Sequence, residues 1–445
     1  MSKKSAIDKI LIHNLAGGIP PHYGLSRFTV GETEKMINEL DDEYGESFEF
    51  CDQGFTKFIF ASYGSGKTHF VLQFRELLMK KGSGCASSYF ELTHNEVGLD
   101  NMPSIIQKVF ENLEFPKSEE EIFEILSKPS LANSVKGIRN AVKQWLSKKE
   151  FEIRGDNNDR EPFINYVIGL KNEIKLGPIG TATSFTRAFE KLIDGIVYSN
   201  SKEIDDMHDF FNGNLNSEKC KQYDLRPINK TDSFDTLNEL VRILKIFGFI
   251  GLLLIFDESE FQGVAKPGSK RVIILEQIRQ IIDKINSGDI PSLILLFTIV
   301  NKNQILGTHG ALTTRTKTEF SLENTTGMIV NLENSKQDEQ IWEQELKNLS
   351  IKILKIYQSA YNFEFNQDFA KNTIINLCKI AIKYRITDLS TKREFIAFLI
   401  KILHKLQKNP ERQISEEEIE NLLNMDLPSE VQNSEEDYFE DKDKQ

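Results

Sequence analysis

Apolar residues recur at helical spacing over residues 6–15, with Ile7, Ile10, Leu11 and Leu15 on one side. Gly17-Gly18-Ile19-Pro20-Pro21 stops that helix, and Phe28-Thr29-Val30-Gly31 opens a second over 32–40. The rhythm then changes. Residues 57–60 form a short apolar run that predicts a strand, 69–81 return to helical spacing, and 85–92 predict a second strand. A long helical middle follows, with segments at 102–113, 119–126, 133–148, 162–170 and 183–198 and polar joints at 154–160 and 212–219. After a helix at 234–247 comes an unbroken apolar run, Leu252-Leu253-Leu254-Ile255-Phe256, which predicts a strand buried on both faces. A helix at 271–285, a third buried strand at 292–300 and a short strand at 328–332 complete the alternation. From 337 to 409 the pattern is helical, with helices at 338–357, 367–384 and 392–407; Thr391, with Glu394 three residues on, marks the start of the last. A short amphipathic helix is predicted at 414–423. Strands alternating with helices predict an α/β fold around a parallel sheet, and no internal repeat is visible.

Composition narrows the class. At 445 residues the chain exceeds one compact core and predicts two or three domains. Hydrophobic residues at 39% and charged residues at 27% fit a soluble globular protein. The 31 Phe against 2 Trp assign the aromatic content mainly to packing. The formal charge is −12, and residues 429–445 hold seven carboxylates against two lysines, the composition of an acidic disordered tail. A net negative chain does not favour binding naked DNA by itself, because that binding draws on Lys and Arg neutralising phosphates. The four cysteines, Cys51, Cys85, Cys220 and Cys378, are far apart; their spacing argues against a zinc site and fits a reducing compartment. The N-terminus reads as mixed amphipathic rather than as a signal peptide. The longest apolar run, 247–256, is about half a membrane span. A cytoplasmic location and no membrane partner are therefore expected.

The candidate chemistry begins where the first strand ends. Ala61-Ser62-Tyr63-Gly64-Ser65-Gly66-Lys67-Thr68 is a glycine-bearing loop between a strand and a helix, the layout of a nucleotide-binding P-loop. Its backbone N–H groups can cradle phosphate oxygens, and the helix start adds its positive dipole end. Gly64 and Gly66 allow close backbone approach. Lys67 is placed to reach the β- and γ-phosphates, and Thr68 to hold Mg²⁺. Ala61 stands where the full pattern has Gly, so the loop closes as usual only if that position needs no positive φ.

Asp257 and Glu258 end the buried strand, where carboxylates are costly without a task. Downstream of a P-loop, Asp257 is expected to orient Mg²⁺ and Glu258 to polarise the attacking water; alone, an apolar run ending in Asp-Glu is equally a strand-to-helix cap. The strand at 292–300 is expected between the P-loop strand and the Asp257 strand. At its end Asn301, or Thr298 earlier in the pleat, is the candidate to face the γ-phosphate, with an ordinary turn Asn as the alternative. Arg315 is a candidate to stabilise the transferring phosphoryl, in cis or across a subunit boundary, or a solvated loop arginine. Arg393, in a helix first turn where acids are preferred, points to a phosphate or to a neighbouring carboxylate. Residues 16–31 fold beside an adenine or simply pack on the core.

Taken together these residues resemble a known family, the ATP-binding proteins of bacterial BREX (bacteriophage exclusion) anti-phage systems, relatives of AAA+ and origin-recognition ATPases. The resemblance rests on Gly17-Gly18-Ile19-Pro20-Pro21 and Phe28-Thr29-Val30-Gly31, on 61–68 with His69-Phe70, and on Leu254-Ile255-Phe256-Asp257-Glu258. It also rests on Ser390-Thr391-Lys392-Arg393-Glu394-Phe395 and on Gln407-Lys408-Asn409-Pro410. It implies an AAA+-like P-loop NTPase core with ATP and Mg²⁺, the nucleotide held along Tyr63, Gly64, Ser65, Gly66, Lys67, Thr68 and His69. Metal support would come from Thr68 and Asp257, and catalysis from Lys67, Glu258, Asn301, Arg315 and Arg393. Implied partners are other defence proteins, DNA through a complex, and further copies of the chain in a homo- or hetero-oligomer.

The expected organisation is an N-terminal helical segment (1–50), an ATPase core in two parts (51–114 and 234–336) split by a helical insertion (115–233), a C-terminal helical lid (337–428) and the acidic tail (429–445). The expected activity is ATP hydrolysis that drives assembly or remodelling of a defence complex. The alternatives are an ATP-occupied structural subunit with little turnover and an origin-recognition-like DNA loader, the latter without a visible helix-turn-helix or basic arm.

Overall fold

The computed structural model describes residues 3–91, 100–128, 131, 135–155, 159–177, 179–257, 269–300, 318–321, 323–333, 338–384 and 391–426. In chain order the helices are α1 (Lys3–Ala16), α2 (Gly31–Leu40), α3 (Glu46–Cys51), α4 (Lys67–Lys80), α5 (Met102–Glu111), α6 (Glu119–Ser127), α7 (Ile138–Arg154), α8 (Glu161–Lys175) and α9 (Thr183–Val197). They continue with α10 (Ser201–Phe211), α11 (Ser217–Gln222), α12 (Ser233–Ile246), α13 (Ser269–Asn286), α14 (Glu339–Tyr361), α15 (Gln367–Lys383), α16 (Lys392–Lys408) and α17 (Glu416–Asp426). The strands are β1 (Phe55–Phe60), β2 (Ala86–Glu91), β3 (Leu113–Glu114), β4 (Leu252–Asp257), β5 (Leu293–Ile299) and β6 (Ile329–Asn331). A π-helical turn, Asp41–Gly45, joins α2 to α3. None of the described helices is long and apolar enough to cross a membrane.

The strands form one six-stranded sheet in the order β3-β2-β4-β5-β1-β6, parallel throughout except for the short antiparallel edge strand β3. As the sequence predicts, β5 lies between β1 and β4. All six residues of β4 and all seven of β5 are buried, which explains the apolar runs at 252–256 and 293–297. Register aligns Phe90, Phe256, Phe297 and Phe58 in one row across β2, β4, β5 and β1. Their rings meet in sequence at 4.8, 4.6 and 5.3 Å between centroids, the last two stacked, the cross-strand aromatic pairing that stabilises a sheet face. The next residues along, Glu91, Asp257 and Thr298, turn to the opposite face.

The described residues divide into two compact units. One comprises Glu34–Ser62 and Lys67–Leu332 and contains the sheet. Its hydrophobic core is continuous from the strands into α5, α7, α8, α9, α10 and α12: Phe58, Leu254 and Phe297 belong to the same cluster as Phe110, Trp145, Phe185 and Leu240. Trp145 stacks on Phe247 at 4.0 Å, and Phe110 on Phe185 at 5.2 Å. A lysine is also interior. Lys57, in β1, is only 2% exposed. Its ammonium donates to the carbonyl oxygens of Gly327 (2.6 Å) and Thr325 (3.2 Å) and to Tyr44 Oη (3.1 Å), and lies over the Tyr44 and Phe320 rings. Tyr44 comes from the π-helical turn and itself donates to the Thr325 carbonyl.

The other unit comprises Met1–Thr33, Tyr63–Gly66 and Glu333–Gln445. In it α1 packs on α14 and α16, and α15 packs on α14 and α17. Thr391 and Glu394 form the capping box that the sequence predicts at the start of α16. Glu345 of α14 is a buried carboxylate that accepts from the Glu32 N–H at 2.6 Å and pairs with Lys392 at 2.9 Å. Gly31 has φ +61°, and a Cβ there would fall 2.1 Å from Glu345 Oε1, so this position requires glycine for conformation and for space. The predicted acidic tail, 429–445, lies outside the described residues.

Candidate functional site

The loop between β1 and α4 takes its form from two glycines. Gly64 has φ +72° and Gly66 φ +100°, a region that L side chains avoid. Ala61, by contrast, is not at positive φ; it is fully buried and donates its N–H to the Ile299 carbonyl at 3.3 Å. The methyl group at this position is therefore compatible with the loop. Lys67 opens α4 and turns back over the loop, donating to the carbonyl oxygens of Ala61 (3.0 Å) and Ser62 (3.2 Å). Tyr63 is exposed, and His69 is half-buried in the first turn of α4. A Cβ on Gly64 would come within 3.0 Å of Thr391.

Thr68, the next residue of α4, meets the end of β4. Its hydroxyl donates to Asp257 Oδ2 at 2.7 Å. Two further hydroxyls reach the same carboxylate: Tyr89 of β2 donates to Oδ2 at 2.9 Å, and Thr298 of β5 to Oδ1. Asp257 is 1% exposed, and these donors offset the cost of burying its charge. Burial, followed by the charges of Asp257 and Glu91, raises the Tyr89 phenol well above its ordinary range. The strand pattern accounts for the gathering. Tyr89 and Glu91 are two apart on β2 and share a face, and Glu91 is the register partner of Asp257.

Chemically, this is a helix N-terminus with a lysine and two glycine loop positions at positive φ, which suits an anion. Beside it, Thr68 Oγ1 and Asp257 Oδ2 are neutral and anionic oxygen donors of the type a hard divalent cation takes, such as Mg²⁺ with its remaining positions on water or phosphate. No group of three or more His, Cys, Asp or Glu is placed to hold a metal by itself among the described residues.

Of the residues singled out from sequence, Thr68 and Thr298 are brought together on Asp257, and Lys67, which precedes Thr68, is bonded to the Ala61 and Ser62 carbonyls. Glu258, Asn301 and Arg315 lie outside the described residues. Arg393 is exposed in the first turn of α16, its aliphatic stem against Gly18. Tyr89 was not singled out from sequence; the available signal was its place two residues before a carboxylate at the end of a strand.

A family model described as BREX system ATP-binding protein BrxC/D matches residues 3–421 of the chain. No curated protein matches it.

Proposed function

The chain belongs to the BREX system ATP-binding protein family BrxC/D, and from that premise we propose that it is an ATPase with an AAA+-like P-loop core, acting in anti-phage defence. The observation that carries the reading is the 2.7 Å contact between Thr68, one residue after Lys67, and Asp257 at the end of a neighbouring buried strand. Phosphates would lie along the loop from Tyr63 to His69, where Lys67 would exchange the Ala61 and Ser62 carbonyls for phosphate oxygens. Thr68 and Asp257 would hold Mg²⁺, which when bound neutralises charge on the phosphates. Glu258 would orient and deprotonate the attacking water. The roles read for Asn301, Arg315 and Arg393 belong to the same proposal, as do the helical insertion at 115–233 and the C-terminal lid at 337–428. Other BREX components are the expected partners, with DNA reached through them, self-assembly as the setting for Arg315, and the cytoplasm as the site of action.

The test is ATP turnover by the purified full chain, alone and with BREX components and DNA, against Glu258→Gln. Turnover at least tenfold above the variant is expected, given the usual weight of a positioned base. Equal rates, with ATP binding and phage protection intact in both, would replace hydrolysis with the alternative of an ATP-occupied assembly subunit. Absence of ATP binding that Lys67→Ala could further reduce would refute the site itself.

A further inference from the structure

Tyr89 has one hydroxyl hydrogen and two carboxylates within reach. Its Oη is 2.9 Å from Asp257 Oδ2 and 3.2 Å from Glu91 Oε1. A phenol donates one hydrogen bond, so at any moment it serves one of these oxygens or is divided between them. The two carboxylates differ in setting: Asp257 is buried, Glu91 is exposed. They differ also in company, since Asp257 Oδ2 already receives the Thr68 hydroxyl and Oδ1 the Thr298 hydroxyl. The Tyr89 ring is itself buried, so its hydroxyl is held at the junction of β2 and β4 and is not free to sweep through solvent.

We propose that Tyr89 is a positioning residue for the metal-facing carboxylate, holding Asp257 by Oδ2 and passing its hydrogen bond to Glu91 when Asp257 turns to a divalent cation beside Thr68. The proposal rests on the reading of this site as one for ATP with Mg²⁺. An oxygen that receives two hydroxyls has fewer electron pairs to offer a cation, and a second acceptor within reach lets one donor leave without losing its partner. Glu91 thereby enters the site as an acceptor rather than as a ligand. Thr298 keeps the far oxygen fixed, so the carboxylate does not rotate out of register while the exchange occurs.

The experiment titrates Mn²⁺, read by electron paramagnetic resonance, into the full chain carrying a non-hydrolysable ATP analogue, and separately measures affinity for the analogue in chelator. Tyr89→Phe removes a hydroxyl that competes with the cation for Asp257 Oδ2 and is expected to tighten Mn²⁺ binding about threefold, and to leave metal-free analogue affinity within about twofold. Glu91→Ala, at an exposed position, keeps the test decisive if Tyr89→Phe does not fold: with the second acceptor gone the phenol stays on Oδ2, and Mn²⁺ binding weakens about threefold. Unchanged Mn²⁺ affinity in either variant, weaker Mn²⁺ binding by Tyr89→Phe, tighter Mn²⁺ binding by Glu91→Ala, or a parallel change in metal-free analogue binding, overturns the proposal. If the unaltered protein binds the analogue but no Mn²⁺, the reading of the site as one for metal and nucleotide fails instead, and the two failures are told apart.

Discussion

Replacing Lys57 by Met should change how stability depends on pH. Burial pulls this ammonium down from 10.5 to about 7, with Glu43 acting weakly in the other direction. Below that value the folded and unfolded chains both carry the charge, and the folded state bears its full desolvation cost. Between about pH 7 and 10.5 the unfolded chain keeps a proton that the folded chain has released. Stability therefore rises with pH in this window, by about 1.4 kcal/mol per unit, and across the whole fall by about 5 kcal/mol. Lys57→Met removes that slope and adds an offset independent of pH, about 1–3 kcal/mol, because the Gly327 carbonyl loses its buried donor. The assay is urea unfolding at several pH values followed by Trp145 fluorescence, in a Trp342→Phe background so that the signal reports the sheet-bearing unit. From about pH 7.5 to 9, wild type should gain about 2 kcal/mol on the variant. A difference constant over that range to within about 0.5 kcal/mol would show that Lys57 stays charged in the fold, held by its three oxygens and two rings, and would refute the reasoning.

Gly31→Ala should destabilise the unit that contains α14 and α16 by about 3 kcal/mol: about 1–2 for a side chain at φ +61°, the rest for pushing Glu345 off the Glu32 N–H. Urea unfolding followed by Trp342 fluorescence measures it, and a loss below about 1 kcal/mol contradicts the close approach. Glu114→Gln should cost the sheet-bearing unit about 3–5 kcal/mol, since buried Arg75 and Lys117 both pair with this one carboxylate. The Trp145 signal reads it, and a near-neutral result would mean that water or another acid replaces Glu114.

Much of the sheet was legible because its strands are buried on both faces. The runs at 252–256 and 293–297 have no polar interruption to confuse strand with surface helix, and the P-loop pattern fixed which strand should lie beside which. Capping chemistry likewise fixed the start of α16 at Thr391. What escaped was too short or too mixed to show a period. Two residues, Leu113 and Glu114, make β3, and pairing with Ser88 and Ser87 defines it where no alternation can. In α10 the apolar residues Met207, Phe210 and Phe211 crowd toward one end behind an acidic first half. Asp41-Asp42-Glu43 looks like a helix exit, yet the backbone passes through a π-helical turn into α3 and so delivers Tyr44 to Lys57. At the candidate site the loop and Asp257 follow from local pattern, whereas Tyr89 follows only from register, which joins residues 168 positions apart.

The continuity of the core from strands to middle helices bears on how chains of this kind can lengthen or shorten. The sequence reads 115–233 as an insertion, but Trp145 and Phe185 seal the same oil that wets Leu254 and Phe297. Such a block is not a cassette. Excising it would leave Phe247 and the inward side of α12 bare, so a shorter version of this protein would have to re-clad its sheet before it could dispense with these helices.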